Sequence, residues 1–327
     1  MSALAALPLW AQLAASLGIA GGMVIAAGPH AVRLLAARGQ RQQIREDAPG
    51  RHRTKAGTPT LGGVLIIAGI AAAALVVAGT HPLVRFGLAA LGTFGGIGLL
   101  DDLIAIRRGR NLGLRARERL AMQGVAGVIL GWYATGQPHL GTQIFLPGAR
   151  SLDLGEIGYT IVAALLFVGF ADAVNLTDGL DGLAAGLVSV AALGFAAIAA
   201  VSLLPSVAVF AIAVTAAAVG FLSVTPHPAR LFMGDVGSNA LGAALAALAI
   251  MTKAELALFV IGGVFVAEAA SVMLQVAYFK ATGGRRIFRM SPLHHHFELV
   301  GWPETTVVRR FYWAGSVCLL VGLLVAG

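Results

Sequence analysis

Long apolar runs separated by short polar segments form the main pattern of this chain. Apolar runs of roughly 17 to 25 residues are long enough to cross a bilayer as helices. Ten such runs lie near residues 7–29, 60–80, 84–100, 120–137, 157–174, 183–202, 206–223, 236–251, 256–278 and 308–326. The pattern therefore predicts an all-α, polytopic membrane protein with about ten transmembrane helices in one integral membrane domain, residues 1–327.

Composition excludes an ordinary soluble protein. Of 327 residues, 58% are hydrophobic and only 12% are charged, whereas soluble domains carry about 25% charged residues. The 43 glycines suit helices that pack closely in lipid, where small residues let backbones approach. No Lys or Arg precedes the first run, so we expect a retained first span rather than a cleaved signal peptide.

The basic residues predict the orientation of the chain. Of 23 Lys and Arg residues, 20 fall in the five loops on the side reached after the first span. Because cytoplasmic loops are enriched in Lys and Arg, both termini are expected to be extracytoplasmic. The net charge of +8 then reflects orientation and contact with anionic lipid or substrate. No nucleic acid partner is expected, since the basic residues flank spans.

The loop between the fourth and fifth runs differs from the others. It reads QIFLPGARSLDLG, with short alternating segments around Pro147 and Gly148. Alternation around a Pro-Gly turn predicts a β-hairpin. The charge pattern places this short hairpin on the extracytoplasmic side.

Acidic residues recur at the boundaries of the apolar runs. Asp101 and Asp102 end the third run, Asp178 and Asp181 lie between the fifth and sixth, and Asp235 opens the eighth. Ionisable groups near hydrocarbon are costly, and they usually mark a polar cavity, an ion path or a metal. We therefore expect these sites to meet at one membrane face and to hold a magnesium ion against phosphate.

Simpler interpretations of the acids remain open at this point. In this interpretation Asp101 and Asp102 are a carboxylate pair at a helix end, balanced by Arg107 and Arg108. Asp235 is then an ordinary helix N-cap. Asn175, Asp178 and Asp181 are spaced by three, so they share a face if the segment is helical. A calcium loop of the EF-hand type is excluded, because its twelfth position would be Leu183 rather than Glu.

Three consecutive histidines, His294, His295 and His296, lie in the last predicted cytoplasmic loop. Adjacent side chains diverge and make poor joint ligands for one zinc ion, and no second Cys or His group stands at metal spacing. The favoured interpretation is hydrogen-bond donation to phosphate or sugar, with a zinc site and a structural cluster as alternatives. Lys55 precedes a Gly- and Pro-rich turn and suits a phosphate as a point charge.

Five motifs together resemble one known family. They are KAGTPTLGG (Lys55 to Gly63), LLDD (Leu99 to Asp102), NLTDGLDG (Asn175 to Gly182), FMGDVGS (Phe232 to Ser238) and PLHHHFE (Pro292 to Glu298). In this order they are similar to the phospho-N-acetylmuramoyl-pentapeptide transferases, a branch of the polyprenyl-phosphate sugar-1-phosphate transferases. The acids match the wider superfamily, and the histidine motif matches the branch.

The resemblance implies an activity and its partners. The expected reaction moves phospho-N-acetylmuramoyl-pentapeptide from UDP-MurNAc-pentapeptide to undecaprenyl phosphate, giving lipid I and UMP in peptidoglycan synthesis. It implies Mg²⁺, a homodimer surrounded by membrane lipid, and a multi-pass protein of the bacterial inner (cytoplasmic) membrane with its active site on the cytoplasmic face.

The resemblance also implies roles for individual residues. Asp235 would bind the metal with Asn175 beside it, and Asp101 would deprotonate the lipid phosphate with support from Asp102. The predicted nucleotide-sugar pocket comprises Lys55, Thr60, Asn175, Asp178, Asp181, Phe232, Gln275, His294, His295 and His296. This chain departs from the family pattern at Arg107, Arg108 and Arg119, where the resemblance implies lysines, and Arg does not replace Lys in every role.

Two other functions fit parts of the pattern. A polyprenyl-phosphate N-acetylglucosamine-1-phosphate transferase would use another UDP-amino sugar with the same acids. A membrane transporter would also have ten spans and buried acids, but inverted repeats are its usual signature. No second copy of NLTDGLDG or LLDD occurs, which favours the transferase.

The predicted topology is testable by accessibility labelling. Single cysteines placed at Asp101, Asp178 and Asp235 should all react from the cytoplasmic side of membrane vesicles and not from the other side. The existing Cys318 is replaced by Ser in every variant to remove its signal. Labelling of these three positions from opposite sides would refute a common site.

Overall fold

The computed structural model describes residues 3–37, 57–109, 113–146, 148 and 150–326. A short 3-10 helix, Ala3–Ala6, comes first. The α-helices are α1 (Leu9–Ala37), α2 (Gly63–Val77), α3 (Pro82–Arg108), α4 (Ala116–Thr135), α5 (Gly155–Thr177), α6 (Leu183–Val201), α7 (Pro205–Val224), α8 (Gly234–Thr252), α9 (Glu255–Ile261), α10 (Gly263–Ala281), α11 (Leu293–Val300) and α12 (Glu304–Ala326). The strands are β1 (Gln143–Leu146) and β2 (Arg150–Asp153).

The all-α membrane architecture is confirmed. Every predicted apolar run coincides with helix, and among the described residues eight helices are long and apolar enough to cross a membrane: α1, α3, α5, α6, α7, α8, α10 and α12. The second and fourth runs correspond to α2, which has 15 residues, and to α4, whose first turn carries Glu118. Helix α3 continues to Arg108, so Asp101 and Asp102 lie within it rather than beyond its end.

The ninth apolar run, predicted as one span, is divided into α9 and α10 at Gly262. The divide lies where the chain is tightly packed: a Cβ at Gly262 would be 2.6 Å from the Phe170 ring and 2.8 Å from the main-chain oxygen of Leu258. Only a residue without a side chain fits there. The sequence pattern missed the break because both halves are apolar.

Helix α8 forms the centre of the bundle. In its most apolar 18-residue stretch 94% of the residues are buried, against 17% in α12. A helix that is buried on all sides is packed against protein, and a mostly exposed apolar helix faces lipid. The N-terminus of α8, where Asp235 lies, is therefore surrounded by other helices.

Glycines allow α8 to approach its neighbours closely. A Cβ on Gly98 of α3 would lie 2.1 Å from the main-chain oxygen of Asp235, and one on Gly63 of α2 would lie 2.3 Å from Cα of Gly237. Contacts this short leave no room for a methyl group. The close approach of α3 is what brings its acid pair to the start of α8.

The predicted β-hairpin is present. Strands β1 and β2 pair antiparallel, with Ile144 opposite Leu152 and Leu146 opposite Arg150. At its base, Thr142 Oγ1 and the Gly155 N–H donate to Asp153 Oδ1, at 2.6 and 3.0 Å. These hydrogen bonds stabilise the charged carboxylate and lower the pKa of Asp153.

Replacement of Gly98 by Ala should destabilise the contact between α3 and α8. Overpacking of this kind costs about 1–3 kcal/mol, so the Tm in detergent should fall by several degrees. Gly96→Ala is the matched control, because Gly96 lies on the same helix and a Cβ there meets nothing within 4 Å. Equal Tm values for the two variants would contradict the close packing.

Candidate active site

The carboxylate of Asp102 caps the N-terminus of α8. Its Oδ1 accepts from the Asp235 N–H at 3.2 Å, and its Oδ2 accepts from the Val236 N–H at 3.0 Å. The first N–H groups of a helix have no partner within the helix, and a carboxylate there is also favoured by the helix dipole. Asp102 thus fixes α3 to α8 and sets the position of Asp235.

Asp235 lies where three helices meet. Asn175 of α5 donates from Nδ2 to Asp235 Oδ1 at 2.9 Å and to Ser238 Oγ at 2.9 Å. Arg119 of α4 donates from Nη1 to Asp235 Oδ2 at 3.3 Å. The carboxyl groups of Asp101 and Asp235 are also close enough to interact electrostatically. Of the acids predicted to converge, Asp101, Asp102 and Asp235 therefore lie together at the start of α8.

A polar network behind Asp235 was not included in the predicted site. Gln123 donates from Nε2 to Asp172 Oδ1 at 3.2 Å and to Asn239 Oδ1 at 3.1 Å. Asn239 in turn donates to the main-chain oxygen of Asp235 at 2.9 Å, and Arg119 Nη2 lies 3.6 Å from Asp172 Oδ1. A sequence signal existed, since Arg119 and Gln123 are four residues apart and share a helix face.

Asp101 and Asp178 occupy the sides of this cluster. Asp101 is buried and its Oδ1 accepts from the Leu114 N–H at 2.8 Å. Asp178 follows the last residue of α5. Burial and the nearby charges of Asp235 and Asp181 raise the pKa of Asp178 to about 7. The site therefore concentrates negative charge that a cation would relieve.

The segment before α2 packs against the segment before α8. The Phe232 N–H donates to the Pro59 oxygen at 2.9 Å, and the Gly62 N–H donates to the Phe232 oxygen at 2.9 Å. Thr60 is buried, and its Oγ1 has no hydrogen-bond partner among the described residues. Thr60 Oγ1 lies near Asp102, because a Cβ on Gly234 would be 2.8 Å from the former and 2.6 Å from Asp102 Oδ2, while Lys55 lies outside the described residues.

Asp181 contacts residues from two other segments of the chain. Its Oδ2 is 2.9 Å from His227 Nδ1 and accepts from the Ala229 N–H at 3.0 Å. Its main-chain N–H donates to Glu304 Oε1 at 2.8 Å. Asp181 thereby joins the loop after α5 to the loop before α8 and to the start of α12. His227 and Glu304 were not predicted, and no spacing rule connects them.

The histidines have three different environments. His294 is fully buried, and its main-chain N–H and Nδ1 both lie 3.2 Å from Glu268 Oε1. His295 Nδ1 is 2.9 Å from Glu298 Oε2. His296 Nδ1 accepts from the Arg289 N–H at 3.1 Å. The three Nδ1 atoms thus have separate partners, as expected from the divergence of adjacent side chains.

Gly179 connects the histidine motif to the acidic loop. A Cβ on Gly179 would lie 2.3 Å from His294 Nε2, so the imidazole packs directly against this loop. Gln275 is more remote in its contacts: Oε1 accepts from the N–H groups of Ile287 and Phe288, and Nε2 donates to the Phe288 oxygen. Its polar atoms hold the segment before α11.

A family match gives the class of this membrane protein as a glycosyl transferase. The profile described as Glycosyl transferase family 4 matches residues 84–253, a stretch that begins in α3 and ends just after α8. It includes the acids at 101, 102, 178, 181 and 235.

Comparison with relatives along nearly the whole chain identifies the branch of the family. The chain is 49% identical to the phospho-N-acetylmuramoyl-pentapeptide-transferase of Heliobacterium modesticaldum over 97% of each chain. The enzyme of the same name from Desulforudis audaxviator is 47% identical, over 94% of this chain and 96% of its own. The enzyme of the same name from Bacillus velezensis is 46% identical, over 87% of this chain and 88% of its own. The chain belongs to the phospho-N-acetylmuramoyl-pentapeptide-transferase family, which confirms the resemblance and the enzyme class.

Replacement of Gly179 by Ala should impair transferase turnover. The new methyl group would collide with His294 Nε2 and push either the imidazole or the acidic loop away. We expect turnover to fall at least tenfold, with a lower Tm. Gly169→Ala is the control, because Gly169 lies on α5 with nothing within 4 Å of its Cβ position. Wild-type turnover in Gly179→Ala would show that this contact does not position the site.

Proposed function

We propose that this protein transfers phospho-N-acetylmuramoyl-pentapeptide from its UDP carrier to undecaprenyl phosphate, releasing UMP and forming lipid I. The observation that carries the proposal is the meeting of Asp101, Asn175 and Asp235 from three helices. The names of the relatives give the transferred group. The reaction joins two phosphates at a membrane, so the site must offset their mutual repulsion.

The residues at the site fit a divalent cation. Asp235 and Asp101 offer carboxylate oxygens, and Asn175 uses its amide nitrogen for Asp235 and Ser238, which leaves the amide oxygen for a cation. Oxygen donors of this kind suit Mg²⁺. When bound, Mg²⁺ would neutralise charge on the diphosphate and on departing UMP. Asp235 and Asn175 are proposed to hold it.

The two acids of α3 are proposed to have different roles. Asp102 uses both oxygens to cap α8 and so keeps Asp235 in place. Asp101 is the proposed base for the lipid phosphate. A phosphate monoester has a second pKa of about 6 and is mostly dianionic at neutral pH. Proton removal therefore adds less to the rate than the alignment and charge neutralisation of the two phosphates.

The nucleotide-sugar is proposed to bind across the loops beside the cluster. Phe232 offers an aromatic face to uracil, and Thr60 offers a buried hydroxyl. Lys55 is proposed to meet the diphosphate. Asp178, Asp181, Gln275, His294, His295 and His296 complete the proposed pocket. His294 and Gln275 would act through the loops that they hold, because their polar contacts are with protein groups.

The setting is proposed to be the bacterial inner membrane, with the site on the cytoplasmic face and both termini outside. The distribution of Lys and Arg supports this orientation. A homodimer is proposed from the family resemblance. The mostly exposed apolar surface of α12 would face lipid or a second copy.

The deciding experiment measures UMP release by purified protein in lipid nanodiscs that contain undecaprenyl phosphate and Mg²⁺. UDP-N-acetylmuramoyl-pentapeptide should give UMP at least a hundredfold faster than UDP-N-acetylglucosamine. Asp235→Asn should abolish release while it leaves the Tm within a few degrees of wild type, because an amide is a much weaker ligand for the cation.

Two outcomes would contradict the proposal in different ways. Faster UMP release from UDP-N-acetylglucosamine would identify the other branch of the superfamily. Wild-type release in Asp235→Asn would remove Asp235 from the metal site.

A further inference from the structure

The guanidinium of Arg119 lies between two carboxylates. Nη1 is 3.3 Å from Asp235 Oδ2 and Nη2 is 3.6 Å from Asp172 Oδ1, while Nε is buried and has no hydrogen-bond partner among the described residues. Hydrogen bonds between charged groups are normally about 2.7–2.9 Å long. Both contacts are longer than that, so the guanidinium is shared between the two carboxylates and held tightly by neither.

Asp172 is held in place independently of Arg119. Gln123 donates to Asp172 Oδ1 and is itself fixed by Asn239, which bonds to the main chain of Asp235. The distance between Asp172 and Asp235 is therefore set by a network that spans α4, α5 and α8. The guanidinium is carried by the longest side chain of this arrangement, and it is not fixed by a short hydrogen bond.

The proposed cation and Arg119 compete for the same carboxylate. Asp235 Oδ1 already accepts from Asn175, and Oδ2 accepts from Arg119. A divalent ion on Asp235 would sit next to the guanidinium, and two like charges at such a distance repel strongly in a partly buried site. One of the two cations must move, and Asp172 offers Arg119 a second acceptor within reach.

On the basis of the proposed metal role of Asp235, we propose that Arg119 is a resident counterion that the metal displaces toward Asp172. Arg119 is a positioning residue in this arrangement. It neutralises and orients Asp235 while no metal is bound, and it lowers the affinity of the site for the metal alone. Asp172 lowers the cost of displacement, since it receives the guanidinium.

The test measures Mn²⁺ binding to purified protein by electron paramagnetic resonance of the free ion, without either substrate. Arg119→Gln should bind Mn²⁺ about three- to tenfold more tightly than wild type, because a competing charge is gone. Arg117→Gln is the matched control: it removes the same charge from an exposed position on the same helix, and its affinity should change less than twofold.

Asp172→Asn should shift the affinity in the opposite direction. Without the second carboxylate, Arg119 rests more firmly on Asp235, so Mn²⁺ should bind at least threefold more weakly. If Asp172 attracted the metal directly, Asp172→Asn would also weaken Mn²⁺ binding. The double variant separates the two causes, because an effect that acts through Arg119 disappears when Arg119 is already Gln.

Each outcome has one interpretation. Unchanged Mn²⁺ binding in Asp235→Asn would overturn the metal assignment and the Arg119 inference with it. Loss of binding in Asp235→Asn, together with unchanged or weaker binding in Arg119→Gln, would overturn the inference alone. A full Asp172→Asn effect in the Arg119→Gln background would also overturn it. If Arg119→Gln fails to fold, Arg119→Ala provides the same background.

Discussion

The burial of several carboxylates at the ends of apolar helices is the constraint on which the rest of this structure depends. An uncompensated charge in a site of low dielectric is costly, and groups placed there must be hydrogen-bonded or paired. Asp101, Asp102 and Asp235 meet this requirement with partners from other segments of the chain. Asp102 bonds to the backbone of α8, Asp235 to Asn175 and Arg119, and Asp101 to the chain just before α4. The helix packing follows, because the partners must be within bonding distance.

Much of the fold was predictable from the sequence. The apolar runs indicated where the membrane helices lie, and the boundary acids indicated a candidate site, because both are local features of the chain. The number of helices was less predictable: ten spans were expected, and the described residues contain twelve α-helices, eight of them long and apolar enough to cross a membrane. The division at Gly262 was not predictable in this way. The Phe170 ring, 92 residues earlier in the chain, packs against Gly262, and such a contact leaves no trace in local hydropathy.

The individual roles at the site were less predictable than its location. Asp101 and Asp102 are adjacent and chemically identical, yet one caps α8 and the other faces Asp235. Arg119 belongs to none of the five motifs and stands out in the sequence only as a departure from the family lysines, although it contacts Asp235 directly. Side-chain direction and cross-helix distance decide these roles, and the sequence specifies both only through the complete fold.

The pairing of Asp102 with the start of α8 has a consequence for the biogenesis of the protein. The two partners are separated by more than 130 residues, and domains of newly made chains fold in the order in which they emerge. Helix α3 must enter the bilayer while the N–H groups of α8 that donate to Asp102 are still unsynthesised. Its acid pair therefore depends on water at the membrane surface until five more helices have been inserted. A ribosome stalled before residue 235 would leave the bundle without α8, its central helix.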